Sequence, residues 1–232
     1  MKRISSKEIK KVVFGIIISD GYIAQGGRID LYNKNQEYIL FVKNILENIT
    51  RTRCSIYKKH DNRFNVDGYR ITSNQNPYFK KIREIFYDQD GKKHLSKYIV
   101  DRIDFQCLAH IWMCDGYMYH AKNKNKNKIQ NIGYLCLEGF QQKELEILIN
   151  RLEKMGISSR LEKVDWGYGN RIKISGKSLQ IFIDGIFQYI IPCFLYKTTL
   201  YYKSSVYLDS DLQSAEQYVK YYDDVEDIVR HS

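Results

Sequence analysis

Two aspartates, Asp20 and Asp115, each stand before a glycine and a tyrosine at the end of an apolar run: "VVFGIIISDGYI" over 12–23 and "LAHIWMCDGYMYH" over 108–120. A carboxylate at the C-terminal end of a helix faces the negative end of the macrodipole, and two such ends side by side repel unless a cation lies between them. Orphan carbonyl oxygens at the same ends supply further hard ligands, so a hard divalent cation satisfies the arrangement. Mg²⁺ suits a site this sparse, because it keeps several waters and takes only one or two carboxylates, and Mn²⁺ is expected to substitute. Water activated there can attack phosphate, and closely spaced metals stabilise both the attacking and the leaving oxygen.

Bringing the two carboxylates together requires the two apolar runs to be helices packed across a pseudo-twofold axis. Gly15 and Ser19, four apart on one face, would let the backbones approach opposite His110 and Cys114. The surroundings repeat as well. After the first Asp-Gly come a strand in "GGRIDLYNKN", a helix in "QEYILFVKNILENI" with Tyr38, Phe41, Val42, Ile45, Leu46 and Ile49 at helical spacing, strands in "RCSIYKKH" and "FNVDGYRITS", and a helix in "NPYFKKIREIFY". Asn76 is a natural N-cap there, with Pro77 at the first helical position. After the second come a strand in "NIGYLCLEGF", a helix in "KELEILINRLEKMG" stopped by Gly156, strands in "SRLEKVDW" and "NRIKISG", and a helix from Lys177 to Tyr189.

The order helix, strand, helix, strand, strand, helix therefore occurs twice, an internal duplication of α+β class. Asp20 and Asp115 are 95 residues apart whereas Leu46 and Leu152 are 106 apart, so the second copy carries an insertion. The low-complexity "KNKNKNK" over 122–128 accounts for most of it and reads as a flexible loop. Expected boundaries are 8–90 for the first repeat, 91–105 for a linker, 106–203 for the second repeat and 204–232 for a peripheral tail.

Composition narrows the partner. Among 232 residues, Lys and Arg outnumber Asp and Glu by 37 to 27, for a net charge of +10, alongside 20 tyrosines. Basic and aromatic together favour a polyanion, above all nucleic acid. Five cysteines with no C-x-x-C spacing indicate neither a disulfide framework nor zinc and fit a reducing intracellular compartment. No apolar run reaches membrane-spanning length, and "MKRISSKEIKK" lacks the apolar core of a secretory signal. The five histidines show no metal-binding spacing.

The helix ends "VFGIIISDG" and "LAHIWMCDG" resemble the two copies of the LAGLIDADG motif, and the chain resembles the single-chain, two-repeat LAGLIDADG homing endonucleases over roughly residues 10–200. The second copy keeps Leu108, Ala109, Asp115 and Gly116; the first keeps Gly15, Ile17, Asp20 and Gly21. His110 replaces a small residue of the motif, so packing across the helix pair must be asymmetric.

The resemblance implies two αββαββα halves with the motif helices at their interface and a saddle of antiparallel strands laid over DNA. It implies that Asp20 and Asp115 bind catalytic Mg²⁺, helped by the backbone oxygens of Ser19 and Cys114. It also places a basic residue near each metal: Lys197 in "IIPCFLYKTT" and, in "GKKHLSK", Lys93 in preference to Lys92.

On such a saddle, strand alternation suggests an exposed, DNA-facing series of Arg28, Asp30 and Tyr32; Arg53, Tyr57 and Lys59; Asn65, Asp67 and Arg70; and Arg160, Lys163, Arg171 and Lys173. Arg and Asn are the expected base readers, and Lys the phosphate contacts, including the loop lysines 122, 124, 126 and 128. The leading expectation is a monomeric, Mg²⁺-dependent endonuclease cutting double-stranded DNA at a long asymmetric site. Two alternatives stay open: an intron maturase acting on host intron RNA, and a catalytically silent DNA-binding regulator.

Overall fold

The computed structural model describes residues 6–62, 65–123, 128–164 and 169–199. The tail expected over 204–232 and the loop residues Lys124 and Lys126 lie outside the described residues, as do the side chains of Lys122 and Lys128.

The first half runs α1 (Ser6–Ile18), β1 (Tyr22–Ile23), β2 (Ile29–Asn33), α2 (Gln36–Thr50), β3 (Ser55–Asp61), β4 (Val66–Thr72), α3 (Pro77–Phe86). A short helix α4 (Lys97–Val100) leads into α5 (Phe105–Asp115), β5 (Gly116–Asn123), β6 (Lys128–Leu135), α6 (Gln142–Lys154), β7 (Ser159–Lys163), β8 (Asn170–Ser175) and α7 (Gly176–Phe187), followed by a 3-10 turn at Pro192–Lys197. The strands form two antiparallel four-stranded sheets of the same topology, β1-β2-β4-β3 and β5-β6-β8-β7. The architecture is α+β, with αββαββα occurring twice.

Local chemistry explains the helix boundaries. Asn76 accepts a hydrogen bond from Tyr78 N at 2.9 Å with Pro77 at the first position of α3, and Asp104 accepts from Cys107 N at 3.1 Å to start α5. Glu144 accepts from Gln141 N at 2.7 Å and also from Leu95 N at 2.8 Å, tying the segment between the repeats to α6. Gly156 takes φ +80°, the left-handed conformation that ends α6.

One continuous core runs through both halves. Residues 12–18 of α1 and 107–113 of α5 are buried all round, since each helix touches the other as well as its own repeat. Leu95, Ile99, Val100 and Ile103 add to this core, so the stretch 91–105 packs as part of the body.

Two readings of the chain are corrected. A strand precedes the one expected before each middle helix: β1 has only two residues, too few for a period to show, and β5 begins at the very glycine that ends α5. The Lys/Asn stretch is also not all loop, since β5 continues to Asn123 and β6 starts at Lys128, paired Asn123 to Lys128. Its alternation of two residue types has the period of a strand and was masked by its low complexity. Among the described residues no helix is long and apolar enough to cross a membrane.

Candidate active site and nucleic-acid interface

The site is built where α1 and α5 lie against each other. A Cβ on Gly15 would fall 2.6 Å from Cys107 O and 2.6 Å from His110 Cβ, so this glycine is what lets the backbones meet. His110 fills the other side of the contact, stacked between Phe41 (5.6 Å) and Tyr38 (6.0 Å) with Nδ1 3.3 Å from Tyr38 Oη. Cys114 donates its thiol to the same Tyr38 oxygen at 3.4 Å. The asymmetry expected from His110 is thus taken up by aromatic residues of α2 alone.

Both helices end in exposed or partly exposed carboxylates, Asp20 and Asp115, with a lysine folded over each end. Lys93 Nζ donates to Ile17 O at 2.9 Å and Ser19 O at 2.7 Å. Lys197 Nζ donates to Met113 O at 2.8 Å and Gly116 O at 2.9 Å, with Trp112 O and Cys114 O at 3.4 Å. Each ammonium therefore satisfies orphan carbonyls at a C-terminal end and opposes its partial negative charge. Lys92, by contrast, is exposed, and its backbone N–H goes to Asp88 at 2.8 Å.

Burial raises the pKa of both carboxyls; Asp20's charge raises that of Asp115 further, and Lys93 and Lys197 oppose the rise in both. Asp20 faces solvent on one side while protein crowds its remaining sides. Burial lowers both lysines, against the pull of the two aspartates. Cys114 is pushed up to about 12, chiefly by burial, and stays a thiol. A cleft of about 630 Å³ opens beside this cluster, lined by Asp20, Cys114, Gly116 and Lys197 together with Tyr32 and Lys34 of one half and Tyr117 and His120 of the other.

A sequence model of the LAGLIDADG DNA endonuclease family matches residues 10–182, three quarters of the chain, with Asp20, Lys93 and Asp115 inside the match. The chain belongs to the LAGLIDADG DNA endonuclease family. Among solved structures it resembles the homing endonuclease I-WcaI bound to its DNA recognition sequence, at 24% identity and TM-score 0.71 over 87% of this chain and 89% of that one. The meganuclease I-SmaMI, bound to uncleavable DNA, matches at 17% identity and TM-score 0.53 over 81% and 85% of the two chains. The N-terminal LAGLIDADG domain of DUF199/WhiA matches at 13% and TM-score 0.51 over 85% and 90%. At these identities the structures attest the fold.

In this LAGLIDADG chain the sheet face turned away from the helices carries Tyr22, Asp30, Thr72 and Ser55 in one cross-strand row and Tyr32, Arg70 and Tyr57 in the next. The corresponding rows of the second sheet hold Tyr117, Tyr134, Lys173 and Arg160, then Arg171 and Glu162. Arg28, Arg53, Tyr57, Lys59 and Arg160 are exposed as expected.

Six residues of the expected series differ. Asp30 is buried, because Thr72 donates to it at 2.6 Å and Arg70 and Arg28 pair with it at 3.2 and 3.4 Å. Arg171 and Lys173 are half-buried, drawn onto Glu162 at 2.7 and 2.6 Å. Asp67 and Lys163 have the parity of the helix-facing side: Asp67 sits opposite His60 and binds its Nδ1 at 2.7 Å, and Lys163 sits opposite Asn170 at the strand end. Asn65 occupies the β3–β4 turn at φ +50°. The reading from alternation also passed over Tyr22, Tyr117 and Tyr119, exposed on the same outer faces. The repeated Asp-Gly-Tyr was the signal for two of them, since it sets Tyr22 and Tyr117 two residues beyond each carboxylate.

Proposed function

We propose that the chain is a site-specific DNA endonuclease of the homing type, acting as a monomer on a long asymmetric site and dependent on Mg²⁺, with Mn²⁺ as a substitute. The observation that carries this reading is the pairing of Asp20 and Asp115 at the ends of two helices in contact, each end covered by a lysine. The donor set fits a hard cation. Its members are carboxylate and carbonyl oxygens, the two carboxyls repel each other in a desolvated setting, and an interposed cation would relieve both costs. Among the described residues no three His, Cys, Asp or Glu side chains form a complete cage, which suits an ion that keeps waters and shares substrate oxygens.

Asp20 and Asp115 would hold the ions, with the backbone oxygens of Ser19 and Cys114 as further ligands. Bound there, Mg²⁺ supplies Lewis acidity toward the scissile phosphate and activates water for in-line hydrolysis. The protein's own part is positioning and charge. Gly15 fixes the spacing of the two carboxylates, and the outer sheet faces set the duplex in register. Lys93 and Lys197 keep positive charge beside the reacting phosphates and orient water, as transition-state charge requires. With one aspartate and one lysine per half, each half would act on one strand, and staggered 3′ ends follow if the chain cuts across the minor groove as its resemblance implies. The two acids are superfluous for recognition alone, which favours hydrolysis over a silent regulator or a maturase.

The test is cleavage of a randomised duplex library by purified protein, with Mg²⁺ and then with EDTA, sequencing the ends. Staggered, sequence-specific breaks that need Mg²⁺ are expected. Full cleavage in EDTA, or by the protein carrying both Asp20→Asn and Asp115→Asn, would overturn the assignment.

A further inference from the structure

The two sheets share a device that sequence alternation did not reveal. Tyr22 pairs with Asp30, which pairs with Thr72; two residues before Thr72 on β4 is Arg70. Tyr117 pairs with Tyr134, which pairs with Lys173; two residues before Lys173 on β8 is Arg171. Tyr22 and Tyr117 each lie two residues beyond their aspartate, so Arg70 and Arg171 occupy equivalent places on the two outer faces.

Both arginines are held by a carboxylate, although the carboxylates come from different strands. Arg70 Nη2 is 3.2 Å from Asp30 Oδ1, itself fixed by Thr72 Oγ1 at 2.6 Å. Arg171 Nη2 is 2.7 Å from Glu162 Oε1, and its guanidinium stacks 3.8 Å over the Tyr134 ring. An acid on a surface meant for a polyanion repels it, and a part-buried ion pair returns little net stability because desolvating both charges offsets their attraction. The same cost incurred at equivalent places in both halves, by residues of different origin, calls for a gain in recognition. A carboxylate supplies one in two ways: it fixes the guanidinium plane before binding, and it discourages the arginine from settling on a phosphate. A planar, fixed guanidinium in the major groove is the side chain that reads guanine O6 and N7.

We infer that Arg70 and Arg171 each read one guanine, at equal distances from the centre of the site and on opposite strands, and that Asp30 and Glu162 are their positioning residues. The inference rests on the reading of the chain as a DNA-recognising protein and adds the base and the side chains that select it. Lys173 donates to the other oxygen of Glu162 at 2.6 Å and so helps to hold that carboxylate in place.

The experiment is selection of bound duplexes from a randomised library by the purified full chain and by Asp30→Asn, Glu162→Gln, Arg70→Gln and Arg171→Gln. The wild-type protein should enrich a symmetric guanine pair. Asp30→Asn and Glu162→Gln should each weaken the preference at one end of the site only, at opposite ends, by about tenfold or more. The untouched end reports that the variant is folded. Arg70→Gln and Arg171→Gln should move the preferred base at the same positions toward adenine, which glutamine reads. A wild-type site without the guanine pair overturns the inference alone, as does a guanine preference unmoved by these variants or lost at both ends in any one of them. A wild-type chain that enriches no sequence overturns the DNA-recognition reading beneath it.

Discussion

Gly15 and His110 occupy a single volume between α1 and α5: a methyl group on Gly15 would lie 2.6 Å from His110 Cβ and equally near Cys107 O. Alanine is the better helix former by about 1 kcal/mol, so Gly15→Ala poses two opposed effects. The clash is with a backbone oxygen inside a helix that is buried all round, and it cannot be relieved by a rotamer change. Overpacking of this kind costs about 1–3 kcal/mol and should win. The urea midpoint of Gly15→Ala is expected to fall with an unchanged slope. Cleavage should fall further than stability, because separating the helices separates Asp20 from Asp115.

His110 is wholly buried, and desolvation pushes its pKa down to about 3 from the ordinary imidazole value of 6.5. The unfolded chain therefore binds a proton in a range where the folded one does not. The stability this group contributes is complete above pH 6.5 and is lost as pH falls toward 3, at up to about 1.4 kcal/mol per pH unit. Denaturation curves of the wild type should weaken between pH 6.5 and 4, and His110→Gln should be less stable at pH 7 yet flatter through that window. Parallel pH profiles would remove His110 as the cause.

Much of this site was legible in the chain, and the rest was not for identifiable reasons. The stripe Tyr38, Val42, Ile45 and Leu46 is buried as its helical spacing requires, and Asn76 with Pro77 starts α3 by local chemistry alone. Asp20 and Asp115 drew attention because a helix end is a poor place for an acid. Asp30 misled, because alternation reports which face a residue points to and says nothing of Arg70 and Thr72 arriving from another strand to cover it. Lys93 could be marked only by resemblance. Its place over α1 depends on the Tyr87–Lys93 bridge that turns the chain back after α3, a contact no local pattern encodes.

Lys93 and Lys197 cap different helices, which makes their removal separable. Each donates to at least two backbone oxygens, so Lys93→Met or Lys197→Met should cost about 1–3 kcal/mol of stability by leaving part-buried carbonyls unsatisfied. If each also serves the scissile phosphate of its own half, either substitution should slow one strand's cleavage by about a hundredfold and the other's far less. On a supercoiled plasmid carrying the selected site, the expected product is nicked circle, on opposite strands for the two variants. Equal slowing of both strands would assign the lysines to holding the helices only.

Asp20 and Asp115 crowd negative charge at two helix ends, so without a cation they should cost stability, and with one they should return it. At pH 8, where the repulsion is greatest, the protein bearing both Asp20→Asn and Asp115→Asn is expected to melt above the cation-free wild type. Titrating Mg²⁺ or Mn²⁺ should raise the wild-type melting temperature, by the equivalent of about 2.7 kcal/mol at a hundred times the dissociation constant, and leave the double variant unmoved. Only the wild type should respond, so a nonspecific salt effect, which shifts both proteins alike, cannot imitate the result. A double variant that gains as much as the wild type would mean that the ion binds elsewhere. A wild type already more stable than the variant without added cation would mean that Lys93 and Lys197 suffice to neutralise the pair.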